Sequence, residues 1–142
     1  FIEVELTEST LIQDTSTVRE VIRELKSQGC SIAIDDFGTG YSSLSYLSRL
    51  NVDKLKIDRS FIAGSDSNEE DEAIVHMITQ MAHMLKLQAV AEGVESSEHM
   101  ALLRRCNCDH AQGYFISRPV DFAVFERFAR QPFFGAQSDR YA

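Results

Sequence analysis

Lys54-Leu55-Lys56-Ile57-Asp58 is the stretch on which the architecture turns. As a strand it places Lys54, Lys56 and Asp58 on one face and Leu55 and Ile57 on the other, because successive side chains point to opposite sides. Four other β-like runs flank it: Phe1 to Leu6, Ser31 to Asp35, Leu87 to Ala91 and His110 to Phe115. Segments of helical period separate them. Val18, Val21, Ile22 and Leu25 mark one helical face, opened by a Thr17 to Glu20 capping box and closed by Gly29. A shorter helix carries Leu44, Leu47 and Leu50. A longer one opens at Ser67, whose capping box closes on Glu70, and runs through Ile74, Met77, Ile78, Met81 and Leu85, its methionines read as core filler. Ser97 to Arg105, with Leu102 and Leu103, and Asp121 to Arg130, with Phe122, Phe125 and Phe128, complete the series.

Five consecutive β-α units with short connections imply a parallel sheet with right-handed crossovers, either doubly wound or part of a (β/α)₈ barrel. Central strands of a doubly wound sheet are apolar on both faces, whereas the Lys54–Asp58 run has one polar face, as the mouth of a barrel requires. A full barrel takes about 250 residues, or roughly 30 per unit. The 142 residues of this chain therefore predict an α/β fold of TIM type, a partial barrel of about five of eight β-α units over residues 1–130. Residues 131–142 lose periodicity and read as a tail.

The chain carries 14 Lys plus Arg against 22 Asp plus Glu, a formal charge of -8. That charge argues against DNA or RNA as a partner, since such binding draws on cations that neutralise phosphates. A phosphate ligand would need metal ions between it and the protein. No window approaches the roughly 20 apolar residues of a membrane span, and no signal peptide is evident at the N-terminus. Cys30, Cys106 and Cys108 form an odd set without paired spacing, as in a reduced compartment. Cys106 and Cys108 with His110 lack a fourth ligand and the usual zinc spacing, so they read as core or surface thiols. The reading is a cytoplasmic domain, whether or not its parent is anchored to a membrane. The acidic run Ser65 to Glu72 reads as a solvated loop and helix start.

Every strand ends in polar residues: Glu5, then Asp35 with Asp36, then Lys56 with Asp58, then Glu92 with Glu95, then Gln112. A single such residue is most often surface or a helix cap. In a parallel barrel, however, all C-terminal strand ends share one mouth, where the catalytic residues of this architecture lie. Carboxylates gathered there repel each other unless cations neutralise them, and oxygen-only ligands suit Mg²⁺ or Mn²⁺. Asp35-Asp36-Phe37-Gly38-Thr39-Gly40-Tyr41-Ser42-Ser43 reads as a glycine-bearing active-site loop beside two carboxylates. Its Asp-Phe-Gly also occurs in kinases, whose glycine-rich loop and His-Arg-Asp segment are absent here.

Taken in order, Glu5-Leu6-Thr7-Glu8-Ser9, the run from Asp35 to Leu47, Leu55 to Ile62, Ala91 to Glu95, and Gln112-Gly113-Tyr114 with Arg118-Pro119 resemble the EAL family of cyclic di-GMP phosphodiesterases. Five blocks in order are far more specific than any one. The resemblance implies a TIM-type barrel that hydrolyses cyclic di-GMP to linear pGpG with divalent metals. It further implies that Glu5 and Asp35 bind a first metal, and that Asp35 bridges to a second site shared with Asp36 and Glu92. By the same resemblance Lys56 holds the attacking water and Asp58 is its neighbour. Glu95 and Gln112 resemble supporting residues. Glu8 resembles the glutamate that fixes the loop after Asp36 and links metal occupancy to dimer contacts. Two cations would lower the pKa of a water between them and clamp the phosphate oxygens.

The Glu-Ala-Leu segment that names the family, and an Asn ligand, belong to the first three units and are absent from this sequence. The chain alone is therefore expected to be inactive, within an intact parent that also carries sensor or cyclase domains. A catalytically silent cyclic di-GMP receptor is the alternative. The open edges at Phe1–Leu6 and His110–Phe115 predict association into a homo-oligomer.

Overall fold

The computed structural model describes residues 2–8, 10, 15–39, 47–64 and 69–130. The expected Ser67 cap, Leu44, the Gly40–Ser43 part of the loop and the 131–142 tail lie outside these residues. Five strands, β1 (Glu3–Thr7), β2 (Ser31–Phe37), β3 (Lys54–Ile57), β4 (Gln88–Ala91) and β5 (His110–Ala111), form one sheet in the order β1-β2-β3-β4-β5. All four neighbouring pairs are parallel. The helices are α1 (Thr15–Ser27), α2 (Arg59–Gly64), α3 (Glu69–Met84), α4 (Ser97–Arg105) and α5 (Phe122–Arg130). This is the β/α succession of a partial TIM-type barrel.

The register makes two unlike faces. Ile32, Ile34, Leu55, Ile57, Ala89 and Ala91 lie on one, are fully buried, and join Ile22, Ile62, Val75, Ile78, Leu102 and Leu103 from the helices in a single core. Glu3, Glu5, Asp35, Lys54 and Lys56 fall on the other by alternation. The alternation expected from Lys54–Asp58 thus extends to β1 and the end of β2, while Ala33 and Val90 place small or apolar side chains on the same face.

Helices α1, α3 and α4 end alike. Gly29, Lys86 and Asn107 each adopt positive φ, at 85°, 61° and 57°. The next residues, Cys30, Leu87 and Cys108, donate back to the carbonyls of Leu25, Ala82 and Leu103. This left-handed cap turns each helix directly into the following strand. Only the first was legible, because only Gly29 is a glycine. A Lys at φ 61° carries a steric cost that glycine does not, so Lys86→Gly should raise stability by about 1 kcal/mol. The urea midpoint of the variant measures it.

Two aspartates staple the opposite, N-terminal end of the sheet. Asp53 accepts the Ile32 N–H at 2.8 Å and pairs with Lys26, and Asp109 accepts the Ala89 N–H at 2.8 Å and meets His83 Nε2 at 2.8 Å. Burial opposes the charge of both carboxylates. The amide hydrogen bonds and the Lys26 and His83 contacts outweigh it, and both pKa values fall below the ordinary 3.8. A depressed folded-state pKa contributes stability that is complete above the unfolded value and is lost as pH falls through the folded one. The chain should therefore lose stability below about pH 4. Asp53→Asn should flatten that acid limb in pH-dependent urea melts.

Three expectations need correction. The run His110 to Phe115 is a strand only over His110–Ala111; beyond it the chain turns, with Ile116 N–H donating to Gly113 O. Helix α1 begins at Thr15, so Thr17 lies in its first turn; three successive hydroxyl residues make that cap ambiguous in sequence. Met77 is 63% exposed, because α3 buries the face centred on Val75, Ile78, Thr79 and Ala82. The Phe122–Arg130 helix forms as expected, but none of its residues is buried among the described residues.

Candidate active site

Lys56 stands at the centre of the polar face. Its side chain is 6% exposed, and its Nζ lies 2.7 Å from Glu5 Oε1, 2.7 Å from Glu92 Oε1 and 3.0 Å from Asp35 Oδ1. Four strands supply the group: Glu5 from β1, Asp35 from β2, Lys56 from β3 and Glu92 from the residue following β4. Burial works against the charge on Lys56, yet the close contacts with Glu5, Glu92 and Asp35 more than offset it and hold the ammonium above the ordinary 10.5. At neutral pH Lys56 is a fixed cation and a donor; it does not act as a base.

A bulge shapes the second strand. Ile34 pairs with Leu55 and Phe37 with Ile57, so Asp35 and Asp36 together stand opposite the single residue Lys56. Asp36 takes up the extra residue at φ 55°, a conformation that short polar side chains tolerate better than most. Phe37 thereby returns to the buried face, at 5% exposure. Two adjacent aspartates in this way share one rung of the sheet; Asp35 meets Lys56, and Asp36 is exposed.

The other expected residues are placed as follows. Asp58 follows β3 and caps α2, accepting the Ser60 N–H at 2.9 Å and the Ser60 hydroxyl. Burial raises its pKa and these bonds lower it, with a net fall. Glu8 is buried, and its Oε2 accepts the Gly38 N–H at 3.0 Å, tying β1 to the loop after Asp36; its Oε1 has no hydrogen-bond partner among the described residues. Glu95 is exposed just beyond β4. Gln112 is also exposed, but its backbone is fixed from both sides, by its N–H to Ala91 O at 2.8 Å and by its carbonyl to the Val94 N–H at 3.1 Å. Helix α2, which seats Asp58, was not anticipated, since six residues with Phe61 and Ile62 show no full helical period. Cys106 is buried and Cys108 half-buried, each thiol pushed up by burial, Cys108 to about 11.

The donors at the mouth are all oxygens, the chemistry of a hard divalent cation. Asp35 Oδ1 is buried and pairs with Lys56 without hydrogen-bond geometry, which leaves it able to accept another cation. Among the described residues no three His, Cys, Asp or Glu side chains enclose a cation by themselves. Lys56 occupies the centre on which three carboxylates converge. No helix among the described residues is long and apolar enough to cross a membrane.

A parallel β/α sheet whose C-terminal strand ends gather carboxylates around one buried lysine defines a TIM-type barrel protein with an acidic mouth. Comparison makes this specific. The chain belongs to the EAL domain family, which it matches over residues 1–119. It is 45% identical over 130 residues to the cyclic di-GMP phosphodiesterase NbdA of Pseudomonas aeruginosa, covering 92% of this chain and 17% of NbdA. To the cyclic di-GMP phosphodiesterase PdeR of Escherichia coli it is 38% identical over 130 residues, 92% of this chain and 20% of PdeR. Among solved structures it superposes on the PaMucR phosphodiesterase in its c-di-GMP complex with a TM-score of 0.82 and 41% identity, over 87% of this chain and 50% of that one. The EAL domain of Mycobacterium smegmatis DcpA gives 0.82 and 44%, over 89% and 56%. The chain thus spans about half of these solved chains and a fifth or less of the two curated relatives.

Proposed function

We propose that residues 1–130 form the C-terminal portion of a metal-dependent phosphodiesterase domain that hydrolyses cyclic di-GMP to linear pGpG. The convergence of Glu5, Asp35 and Glu92 on Lys56 carries the reading, together with relatives named as phosphodiesterases of that nucleotide. Glu5, Asp35, Asp36 and Glu92 would hold Mg²⁺ or Mn²⁺. Bound divalent cations would polarise the phosphate and acidify the attacking water. Lys56, fixed as an ammonium, would donate a hydrogen bond to that water and orient it. Asp58 holds the end of β3 through its cap on α2, and Glu8 holds the loop after Asp36. Glu95 and Gln112 support the rim, their backbones tied through Val94.

This sequence contains no Glu-Ala-Leu triplet. The 142-residue chain by itself is accordingly proposed to turn over no substrate, and its outer strands β1 and β5, each paired on one side only among the described residues, to favour association with a further copy. Sedimentation of the purified chain, combined with a cyclic di-GMP hydrolysis assay in Mn²⁺, tests both. Oligomers without turnover are expected, and a stable active monomer would overturn the reading. In the intact domain, chromatography should show pGpG accumulating; cyclic di-GMP bound and released unchanged would favour a receptor instead.

A further inference from the structure

His99 is buried at 5% exposure on α4. Its backbone N–H is capped by Ser96 Oγ at 3.0 Å, and its ring returns the contact, Nδ1 accepting the Glu95 N–H at 3.2 Å. This is the logic of a capping box, with histidine at the third helical position reaching back one residue beyond the cap. Elsewhere the same loop is held by the Glu92 ion pair with Lys56 and by backbone contacts. Glu92 N–H donates to Ile57 O, Val94 N–H to Gln112 O, and Gly93, at φ 67°, sits where a Cβ would come within 2.5 Å of Arg59 Cβ.

We propose that His99 is a positioning residue for the site, a neutral imidazole protonated at Nε2 whose Nδ1 fixes Glu95 at the rim and steadies the loop that begins with Glu92. The tautomer follows from the donor: an amide N–H can be received only by a bare ring nitrogen. The contact ties α4 directly to the mouth. No backbone group replaces it, because the Glu95 amide lies outside the helix. The consequence for catalysis rests on the phosphodiesterase reading; the placement of the loop does not.

NMR of the ¹⁵N-labelled 142-residue chain, with His99→Asn and His99→Phe, tests it. Asparagine presents Oδ1 at the same bond distance from Cβ as Nδ1, and phenylalanine fills the space without an acceptor. Expected are a non-protonated Nδ1 in His99, Glu95 amide exchange near the parent rate in His99→Asn, and exchange at least about fivefold faster in His99→Phe. Amides of β4 report whether the fold persists; if His99→Phe unfolds, the tautomer and His99→Asn decide. A proton on Nδ1, or Glu95 exchange as fast in His99→Asn as in an unprotected amide, would overturn the proposal. In the intact domain His99→Phe should lower kcat about tenfold with KM little changed, and His99→Asn should restore it. Absence of turnover in the unsubstituted domain would count against the functional reading, leaving the exchange and tautomer results to judge the positioning role.

Discussion

Lys56→Ala in the intact domain should lower cyclic di-GMP turnover by a hundredfold or more, about 3 kcal/mol in the barrier, with much less effect on nucleotide binding. The substitution removes the only cation within 3.0 Å of Glu5, Asp35 and Glu92 among the described residues. It would take away the donor proposed to orient the water and leave Glu5, Asp35 and Glu92 without the cation they share. Glu92→Gln should act in the same direction, since it keeps the size of the side chain and loses the charge that both Lys56 and a divalent cation require. Steady-state kinetics with Mg²⁺ beside equilibrium binding of cyclic di-GMP separate the two effects. Turnover unchanged in either variant would refute the roles given to Lys56 and Glu92.

Gly113→Ala should destabilise the chain by about 3 kcal/mol or more. A Cβ there would lie 2.1 Å from Val94 O and 2.3 Å from Val94 N, both backbone atoms that no rotamer change can move. The turn carrying Gln112 would have to separate from the loop carrying Glu95, breaking the Val94 N–H bond to Gln112 O and the Phe115 N–H bond to Val94 O. Urea unfolding of the variant measures the loss. A change below about 1 kcal/mol would show that the turn packs more loosely against Val94 than described.

The same glycine shows where sequence reading stops. The alternation of Lys54, Lys56 and Asp58 with Leu55 and Ile57 was enough to infer a two-faced strand, and the polar strand ends were enough to infer an acidic mouth, because both depend on the local period of two. The shortness of β5 was not legible. His110 to Phe115 has strand composition, and only the tertiary contact of Gly113 with Val94 forces the turn. The bulge at Asp36 was hidden for a similar reason, since nothing in Asp35-Asp36 says that two residues will stand opposite one. Nothing in the sequence marked His99, because the contact of its ring past Ser96 to the Glu95 amide depends on how α4 is capped. Met77 failed because a helical stripe drawn through every apolar residue is wider than the face a sheet can cover.

The central claim is that the carboxylates around Lys56 serve divalent-metal hydrolysis of a cyclic dinucleotide. Incubation of the intact domain with cyclic di-GMP and Mn²⁺, followed by chromatography of the products, tests it most directly. The account requires linear pGpG to accumulate, and Glu92→Gln to suppress it while cyclic di-GMP is still bound. Recovery of unchanged cyclic di-GMP from a well-folded, nucleotide-bound domain would contradict it.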